Sequence, residues 1–342
     1  MKLFWRCWVI VATLVLARTG LAANYDPDLT WRTIRTDHFN ITFHQGEEQL
    51  AEEFSQKIEE IYATMLAEIG WEPRRRTELV LVDRTDSANG YASVVPYNAI
   101  VIFVTAPQED STLSLYEDWS HAIATHEFTH ILHMDTNHGI VRVARAVVGR
   151  IASTNDISPW WLVEGFATFQ ETRHTTGGRG RSPFVDMIKR TAVVEDDFPP
   201  LGNMDGLQAD PPAGNLRYLF GQDFIQYVAD HQGEQVWTKW VHTYGSSIPY
   251  ILPSKKVFKK RLVPLYFDWK DHLHLKYGAQ AEAVKAVGQR EGRLISDGIA
   301  SCSAPRFAPD RQKLVWSCYD SKTGSALWMS DGEGNEPERL LK

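Results

Sequence analysis

The chain of 342 residues is long enough for one large domain or two ordinary ones, with a sizeable core. Its hydrophobic content of 43% and charged content of 23% are those of a globular protein and exclude an intrinsically disordered one. The net charge of -7 argues against nucleic acid as a partner, because binding phosphate requires a basic face.

The first 23 residues have the three parts of a secretory signal peptide. Lys2 and Arg6 precede an apolar stretch from Trp8 to Ala17, and small residues around Ala22 offer a cleavage site. Because this stretch is too short for a mature membrane anchor, we predict an exported protein that keeps no stable transmembrane segment. It would be periplasmic, associated with the cell envelope or secreted; an uncleaved anchor is the alternative.

Export also affects the cysteines. Cys7 leaves with the signal peptide, so Cys302 and Cys318 remain in the predicted mature chain. In an oxidising compartment this pair can form a disulfide, which we favour over two buried free thiols.

Hydrophobic periodicity predicts strands and one long helix in the first third of the chain. The alternation from Leu29 to His44 indicates one or two strands, and Glu47 to Ile69 has a helical repeat. Short buried strands are predicted at Leu79 to Val82 and Ala99 to Val104, with a turn at Asn89 to Tyr91 between them.

The middle of the chain is predicted to be mostly helical. The helical segments are Leu115 to Met134, Ile140 to Ile151, Trp160 to Thr172, Phe184 to Val194, Leu216 to Asp230 and much of Val236 to Gly288. The Gly- and Arg-rich segment from Thr175 to Ser182 is predicted to be a mobile surface loop. The basic run from Lys255 to Arg261 is interpreted as a solvated helix face.

One helical segment carries a metal-binding pattern, His126-Glu127-Phe128-Thr129-His130, which fits H-E-x-x-H. On a helix, His126 and His130 lie one turn apart on the same face, so both imidazoles can bind one ion. Zinc suits two nitrogen ligands and a carboxylate, with a fourth position left for water or substrate. Glu127 lies beside them and can take a proton from that water as general base.

Glu164 is the candidate for the third ligand. It is the one charged residue in the apolar segment from Trp160 to Phe169, where a carboxylate needs a cation or several donors. A buried glutamate in a salt bridge is the alternative. The small residues Gly165 and Ala167 predict that this helix closely approaches the motif helix. Three nearby histidines are interpreted as surface or core-edge groups: His121, His133 and His138.

The H-E-F-T-H segment and the later W-L-V-E-G-F-A-T segment together resemble the gluzincin zinc metallopeptidases, which have a thermolysin-like fold. The second segment is most similar to aminopeptidases of the alanyl-aminopeptidase type. The resemblance implies one zinc ion held by His126, His130 and Glu164, with Glu127 as base. It also implies an α+β catalytic domain over residues 24–290, with a mixed N-terminal sheet, an active-site helix and a helical C-terminal lobe.

The chain departs from the aminopeptidase pattern in three places. Thirty-three residues separate His130 from Glu164, more than is usual, which indicates an inserted helix or loop. Val163 stands where asparagine is usual. The Gly-Ala-Met-Glu-Asn segment that grips a substrate's free amine has no match; the stretch from Asn89 to Asn98 takes its place and can bind an extended peptide as an edge strand. Endopeptidase, dipeptidyl-type and aminopeptidase action all stay open.

Peptide hydrolysis by this chemistry also needs a donor to the oxyanion. The resemblance places a tyrosine or histidine some tens of residues beyond the third ligand, and Tyr218 is the candidate, followed by His231 and His174. A tyrosine of the core is the alternative for Tyr218. Asp135 is a candidate to orient a histidine ligand, against the alternative of a helix-capping aspartate.

The C-terminal segment, residues 291–342, resembles the first blade of a TolB-like β-propeller. The residues that carry this resemblance are Ala304-Pro-Arg-Phe-Ala-Pro-Asp310, the strand from Lys313 and the later Asp331-Gly332. Because one blade cannot bury both its faces, we expect the sequence to be the front part of a longer polypeptide. A small β-extension packed on the catalytic domain is the alternative.

These observations predict a zinc-dependent peptidase that acts on peptides or proteins. The alternative is a catalytically silent peptide-binding or scaffolding module that works through its propeller, which would also be the surface for a protein partner. The presence of Glu127 argues against this alternative, because a catalytically inactive module does not need a general base. A zinc hydrolase acting on non-peptide amides is a third reading of the same motif.

Overall fold

The computed structural model describes residues 26–108, 111–150, 154–206, 212–247, 252–290, 292–295, 301–320 and 324–341. The predicted signal peptide lies outside these residues. In the described part of the chain, no helix combines the length and apolar character needed to cross a membrane. The architecture is mixed α+β, as expected, with a five-stranded sheet, a helical region and a separate four-stranded sheet.

The N-terminal sheet is mixed and has the strand order β1-β2-β3-β5-β4. Its strands are β1 (Trp31–Arg35), β2 (Phe39–His44), β3 (Thr77–Val82), β4 (Asn89–Ser93) and β5 (Ala99–Phe103). β2, β3 and β5 run parallel to one another, while β1 and β4 are antiparallel edge strands. The turn predicted at Asn89 to Tyr91 is wrong, because these residues pair with β5 as the start of β4.

Two helices pack on this sheet and share its apolar core. α1 (Glu48–Ile69) ends at Gly70, whose φ of 69° is the left-handed conformation that favours glycine. α2 (Trp119–Asp135) carries the H-E-x-x-H motif and contacts both α1 and β4. It begins four residues later than predicted, since Thr112–Leu115 forms a separate short 3-10 helix.

The remaining helices form a second region. They are α3 (Gly139–Val148), α4 (Trp160–Arg173), α5 (Pro183–Val194), α6 (Leu216–Gln232), α7 (Val236–Tyr244), α8 (Ser254–Phe258) and α9 (Leu262–Val287). Buried aromatic side chains, among them Trp237, Trp240 and Trp269, fill the space between α6, α7, α8 and α9. Lys255 and Lys256 are exposed on α8, as predicted, while Val257 and Phe258 of the same helix are buried. The rest of the basic run, Lys259 to Arg261, is also exposed but lies between α8 and α9, so the predicted helix face covers only part of it.

α4 crosses α6 through a pair of glycines. A Cβ placed on Gly165 would lie 2.5 Å from the carbonyl carbon of Gly221, so only glycine allows this approach. Gly221 is equally restricted, because its Cβ would lie 2.4 Å from the carbonyl oxygen of Trp161. α4 does approach the motif helix α2, as predicted, since Glu164 lies 3.2 Å from both histidines. The closest backbone contact at Gly165, however, is with α6.

His133 is a fully buried residue of α2, where we had predicted a surface or core-edge group. Its ring packs edge-on against Phe166, and neither ring nitrogen has a hydrogen-bond partner among the described residues. Burial, helped by the nearby His130, lowers the pKa of His133 to about 3. The folded state therefore holds a neutral imidazole.

This burial predicts a loss of stability in acid. Below the ordinary histidine pKa of about 6.5, His133 is protonated in the unfolded chain but stays neutral in the folded chain. The free energy of unfolding therefore decreases as the pH is lowered. Between about pH 7.5 and about pH 5, wild type should lose about 2 kcal/mol more than a His133→Leu variant. Urea unfolding of both proteins at the two pH values, with a chelator present to keep them metal-free, measures this difference. Equal losses of unfolding free energy in the two proteins would contradict the prediction.

The C-terminal sheet is an antiparallel meander of β6 (Ser301–Phe307), β7 (Lys313–Asp320), β8 (Gly324–Asp331) and β9 (Glu338–Leu341). A small cluster of Leu314, Trp316 and Cys318 forms its core. Cys302 and Cys318 face each other across β6 and β7 and form the expected disulfide. Within the described residues this is a single sheet, and no closed barrel or propeller is present.

Candidate metal centre

The two histidines of α2 and the glutamate of α4 converge on one point. The Nε2 atoms of His126 and His130 each lie 3.2 Å from Oε2 of Glu164. All three residues are buried, with exposed fractions of 4%, 5% and 8% in the same order. They form the one cluster of potential metal ligands found in the described part of the chain, with ligand atoms within 4.8 Å of one another.

These distances suit a zinc ion. Two ligand atoms on a tetrahedral zinc ion, with bonds of about 2.0 Å, lie roughly 3.3 Å apart. The measured separations of 3.2 Å between Glu164 and each histidine are close to this value. Nδ1 of His130 is buried and has no hydrogen-bond partner among the described residues. Nε2 is therefore the ring nitrogen that faces Glu164 and could bind the ion. The residues present therefore fit a zinc ion.

His126 is held in place by a second carboxylate. Oε2 of Glu171 lies 2.8 Å from Nδ1 of His126 and accepts a hydrogen bond from it, which leaves Nε2 to bind a metal. Glu171 belongs to α4, two turns after Glu164, so one helix supplies both carboxylates. Arg179 donates to both oxygens of Glu171, and Tyr116 donates to one of them.

This network sets the charge state of the buried carboxylate. Burial alone would raise the pKa of Glu171, but the adjacent Arg179 and His126 outweigh it and lower the pKa to about 2. Glu171 is therefore an anion at neutral pH. Together with Glu164 and Glu127 it makes the surroundings of the His126 imidazole favourable for a cation.

Glu127 faces the same site from the neighbouring position on α2. Its Oε2 atom is buried and accepts no hydrogen bond within the described residues. Burial raises the pKa of Glu127 above its ordinary value, against the lowering effect of His130 and His126. Gly90 of β4 leaves room for this side chain, because a Cβ there would lie 3.0 Å from Oε1 of Glu127. The close approach of β4 to α2 thus places the carboxylate beside the edge strand.

The site opens into a cleft of about 490 Å³ between β4 and the helical region. The residues of β4 line the cleft, and so do Trp160, Arg179 and Tyr218. The ring centroids of Tyr218 and His126 lie 6.1 Å apart. The guanidinium of Arg179 lies 4.8 Å from the ring centroid of Tyr218. Neither His174 nor His231 is among the described residues that line the cleft, so Tyr218 is the one predicted oxyanion donor that reaches it.

No known protein family and no curated protein sequence matches this chain. The assignment of a function therefore depends on the residues themselves and their geometry.

Three residues differ from what the sequence predicts: Arg179, Glu171 and Asp135. Arg179 belongs to the segment from Thr175 to Ser182, which is predicted to be a surface loop, but its side chain is buried and ion-paired with Glu171. The spacing of seven between Glu164 and Glu171 was an available signal, since residues two turns apart lie on the same helix face. Asp135 does not orient a histidine ligand; instead it pairs with Arg145 and Arg150 and accepts from Trp71.

The role of Glu171 can be tested through metal affinity. Glu171→Gln keeps the shape of the side chain but removes the charge that orients and polarises His126, so zinc affinity should fall by about 10- to 100-fold. Competition with a fluorescent chelator measures this change, and a melting curve separates it from unfolding. Glu234→Gln is the matched control, because Glu234 pairs with Arg173 at the surface. An unchanged zinc affinity in Glu171→Gln would show that His126 needs no such partner.

Proposed function

We propose that this chain is a zinc-dependent peptidase of the gluzincin type with a thermolysin-like catalytic domain. The observation that carries the proposal is the convergence of His126, His130 and Glu164 on one point, with Glu127 beside them and its carboxylate unpartnered among the described residues. When bound, zinc lowers the pKa of a water to about 7 and polarises the substrate carbonyl.

The protein's own groups then have separate tasks. Glu127 takes the proton of the attacking water and later passes it to the leaving amine, as a general base that becomes a general acid. Its raised pKa suits both steps, since the proton must be taken up and then released. Tyr218 lines the same cleft, and we assign its hydroxyl to donate to the oxyanion that develops on the carbonyl. Its pKa is raised by burial and by Glu164, so the hydroxyl keeps its proton.

The substrate is proposed to lie in the cleft along β4. Among the described strands, β4 is at the edge of the sheet and is paired with β5. An extended peptide can add to such an edge strand by main-chain hydrogen bonds, which do not depend on the peptide's side chains. Because Gly90 at the start of β4 lies next to Glu127, a peptide bound along β4 would have its scissile bond close to the base.

The test is metal content together with cleavage. The purified full chain, reconstituted with zinc, should hold about one zinc ion per chain and cleave unfolded protein substrates. Peptides with a blocked amine and the same peptides with a free amine then separate endopeptidase from aminopeptidase action. If the reconstituted protein binds no zinc, the proposal fails.

For the C-terminal sheet we keep the proposal that it is the first blade of a TolB-like propeller. A four-stranded antiparallel meander is the fold unit of a propeller blade, and the described sheet has this strand order. A complete propeller would offer a surface for a protein partner. Export to the cell envelope or beyond remains part of the proposal, on the evidence of the N-terminal residues of the sequence.

A further inference from the structure

The carboxylate of Glu171, which contacts His126, is fully hydrogen-bonded. Its Oε1 atom accepts from the hydroxyl of Tyr116 and from Nε of Arg179, the latter at 2.7 Å. Its Oε2 atom accepts from the same guanidinium and from Nδ1 of His126, each at 2.8 Å. An ionised carboxylate has about four acceptor sites, so all of them are occupied. Because Glu171 is only 1% exposed, the loss of any one donor leaves a buried oxygen short of a partner.

The position of Glu171 decides which nitrogen of His126 carries the proton. Nη2 of Arg179 lies 3.3 Å from Nδ1 of His126, and a guanidinium nitrogen can only donate. If Arg179 were the partner of Nδ1, the proton would be on Nε2, and this nitrogen could not bind a metal. Oε2 of Glu171 is closer to Nδ1, at 2.8 Å, and is an acceptor, so it keeps the proton on Nδ1. The metal centre therefore requires that Glu171 is held in this place.

Tyr116 is a donor of fixed direction in this network. The backbone N–H of Arg179 donates to its phenolic oxygen at 3.1 Å, which leaves the proton of the hydroxyl for Glu171. Burial and the charge of Glu171 raise the pKa of Tyr116, so the hydroxyl stays protonated at neutral pH. Tyr116 is thus a neutral donor that reaches Glu171 from 55 residues earlier in the chain.

The segment that ends at Tyr116 lines the cleft. Residues 111–116 consist of the short 3-10 helix Thr112–Leu115 with one residue on either side of it. Ser111 and Leu113 line the cleft together with Glu127 and the three potential metal ligands. Oγ of Ser111 accepts from the backbone N–H of Leu113 at 3.2 Å, which stabilises this turn. Tyr116 therefore connects a cleft-lining segment with the carboxylate that contacts His126.

Two glycines allow the segment to pack closely beside Glu171. The backbone N–H of Gly178 donates to the carbonyl of Leu115 at 3.0 Å. A Cβ on Gly177 would lie 2.1 Å from the same carbonyl oxygen, and one on Gly178 would lie 2.7 Å from the ring of Tyr116. Only glycine permits such close contacts, so the backbone itself determines how the segment docks.

We propose that Tyr116 is a positioning residue of the metal centre, which holds Glu171 against His126 and connects the cleft-lining segment 111–116 to this zinc ligand. This role rests on the proposed function, because it takes His126 as a ligand of bound zinc. Zinc binding and the ordered state of the segment should then support each other, since a coupling between two sites acts equally in both directions.

The variant Tyr116→Phe tests this role, because it keeps the ring and removes only the hydroxyl. Zinc affinity, measured by competition with a fluorescent chelator, should fall by about tenfold. Tyr277→Phe is the matched control: Tyr277 is also buried, and its hydroxyl donates to Asp186 at 2.5 Å between α9 and α5. Melting curves measure what each lost hydroxyl costs in stability. The control should lose stability but keep the zinc affinity of wild type.

Hydrogen exchange of the same proteins measures the connection to the cleft. In wild type, added zinc should slow the exchange of the backbone amides of residues 112–117, and in Tyr116→Phe this protection should be lost. Gly177→Ala is a second variant, since its methyl group would push the segment away while every hydrogen-bonding side chain stays unchanged. It should lower zinc affinity by a factor similar to that of Tyr116→Phe. An unchanged zinc affinity in Gly177→Ala would contradict the connection through the segment.

Equal zinc affinity of Tyr116→Phe and wild type would overturn the proposal. So would an equal loss of affinity in Tyr277→Phe, which would trace the effect to stability. Protection of residues 112–117 by zinc that is as strong in Tyr116→Phe as in wild type would also overturn it. All these results require that wild type binds zinc. A wild-type protein that binds no zinc contradicts the proposed function itself, so the two failures are distinguishable.

Discussion

Replacing Glu127 by glutamine should abolish peptide cleavage and leave bound zinc in place. Glutamine has nearly the same shape but cannot take a proton from water, so the general-base step is lost. We expect cleavage to fall by about 10²- to 10⁴-fold. Because Glu127 is not among the three converging ligand residues, zinc content should stay at about one ion per chain.

The variant Glu164→Gln is the comparison that separates loss of the base from loss of the metal. It removes a carboxylate whose Oε2 lies 3.2 Å from both histidine nitrogens, so zinc and cleavage should be lost together. Cleavage is followed with a quenched fluorescent peptide, and zinc is measured by elemental analysis of the same samples. Substantial cleavage by zinc-loaded Glu127→Gln would exclude Glu127 as the base.

The second large effect is expected at the helix crossing. In Gly165→Ala the new methyl group would lie 2.5 Å from the carbonyl carbon and 2.9 Å from the next amide nitrogen of the α6 backbone. Backbone atoms cannot turn aside as a side chain can, so α4 and α6 must separate at the cost of about 3 kcal/mol of stability. Glu164 is the preceding residue of α4, and we therefore expect weaker zinc binding as well.

A helical glycine without close neighbours provides the control. Gly278 lies inside α9, and no atom comes within 4 Å of a Cβ placed there. Gly278→Ala should raise the free energy of unfolding by about 0.5–1 kcal/mol, because alanine is the better helix former. Urea unfolding measures both variants. If Gly165→Ala lowers the free energy of unfolding by less than about 1 kcal/mol, α4 and α6 can move apart at lower cost than their geometry indicates, and the prediction is wrong.

Much of the local structure could be predicted from periodicity alone. The helices around Glu127 and Glu164 and the strands β2, β3 and β5 lie close to where apolar spacing placed them. His126, His130 and Glu164 lie close together in the structure, and a spacing of four on a helix brings the two histidines to the same face. Such short-range relations depend on helix geometry and need no knowledge of the fold.

The prediction of a turn at Asn89-Gly90 was wrong because of a long-range contact. Asparagine followed by glycine favours a turn in an isolated segment, but here the residues pair with β5 and lie against α2. Gly90 is needed for clearance from Glu127, a requirement set by a residue 37 positions away. Local propensity carries no information about such a contact.

The sequence by itself determined the chemistry of the candidate centre: two imidazoles and two carboxylates at spacings that suit zinc and a base. Only the tertiary structure decided what surrounds them. The buried pair of Glu171 and Arg179, the crossing of Gly165 with Gly221 and the contact of Tyr116 with Glu171 all depend on which elements pack together. Packing partners are chosen by the shape and burial of whole surfaces, and no short stretch of sequence encodes that choice.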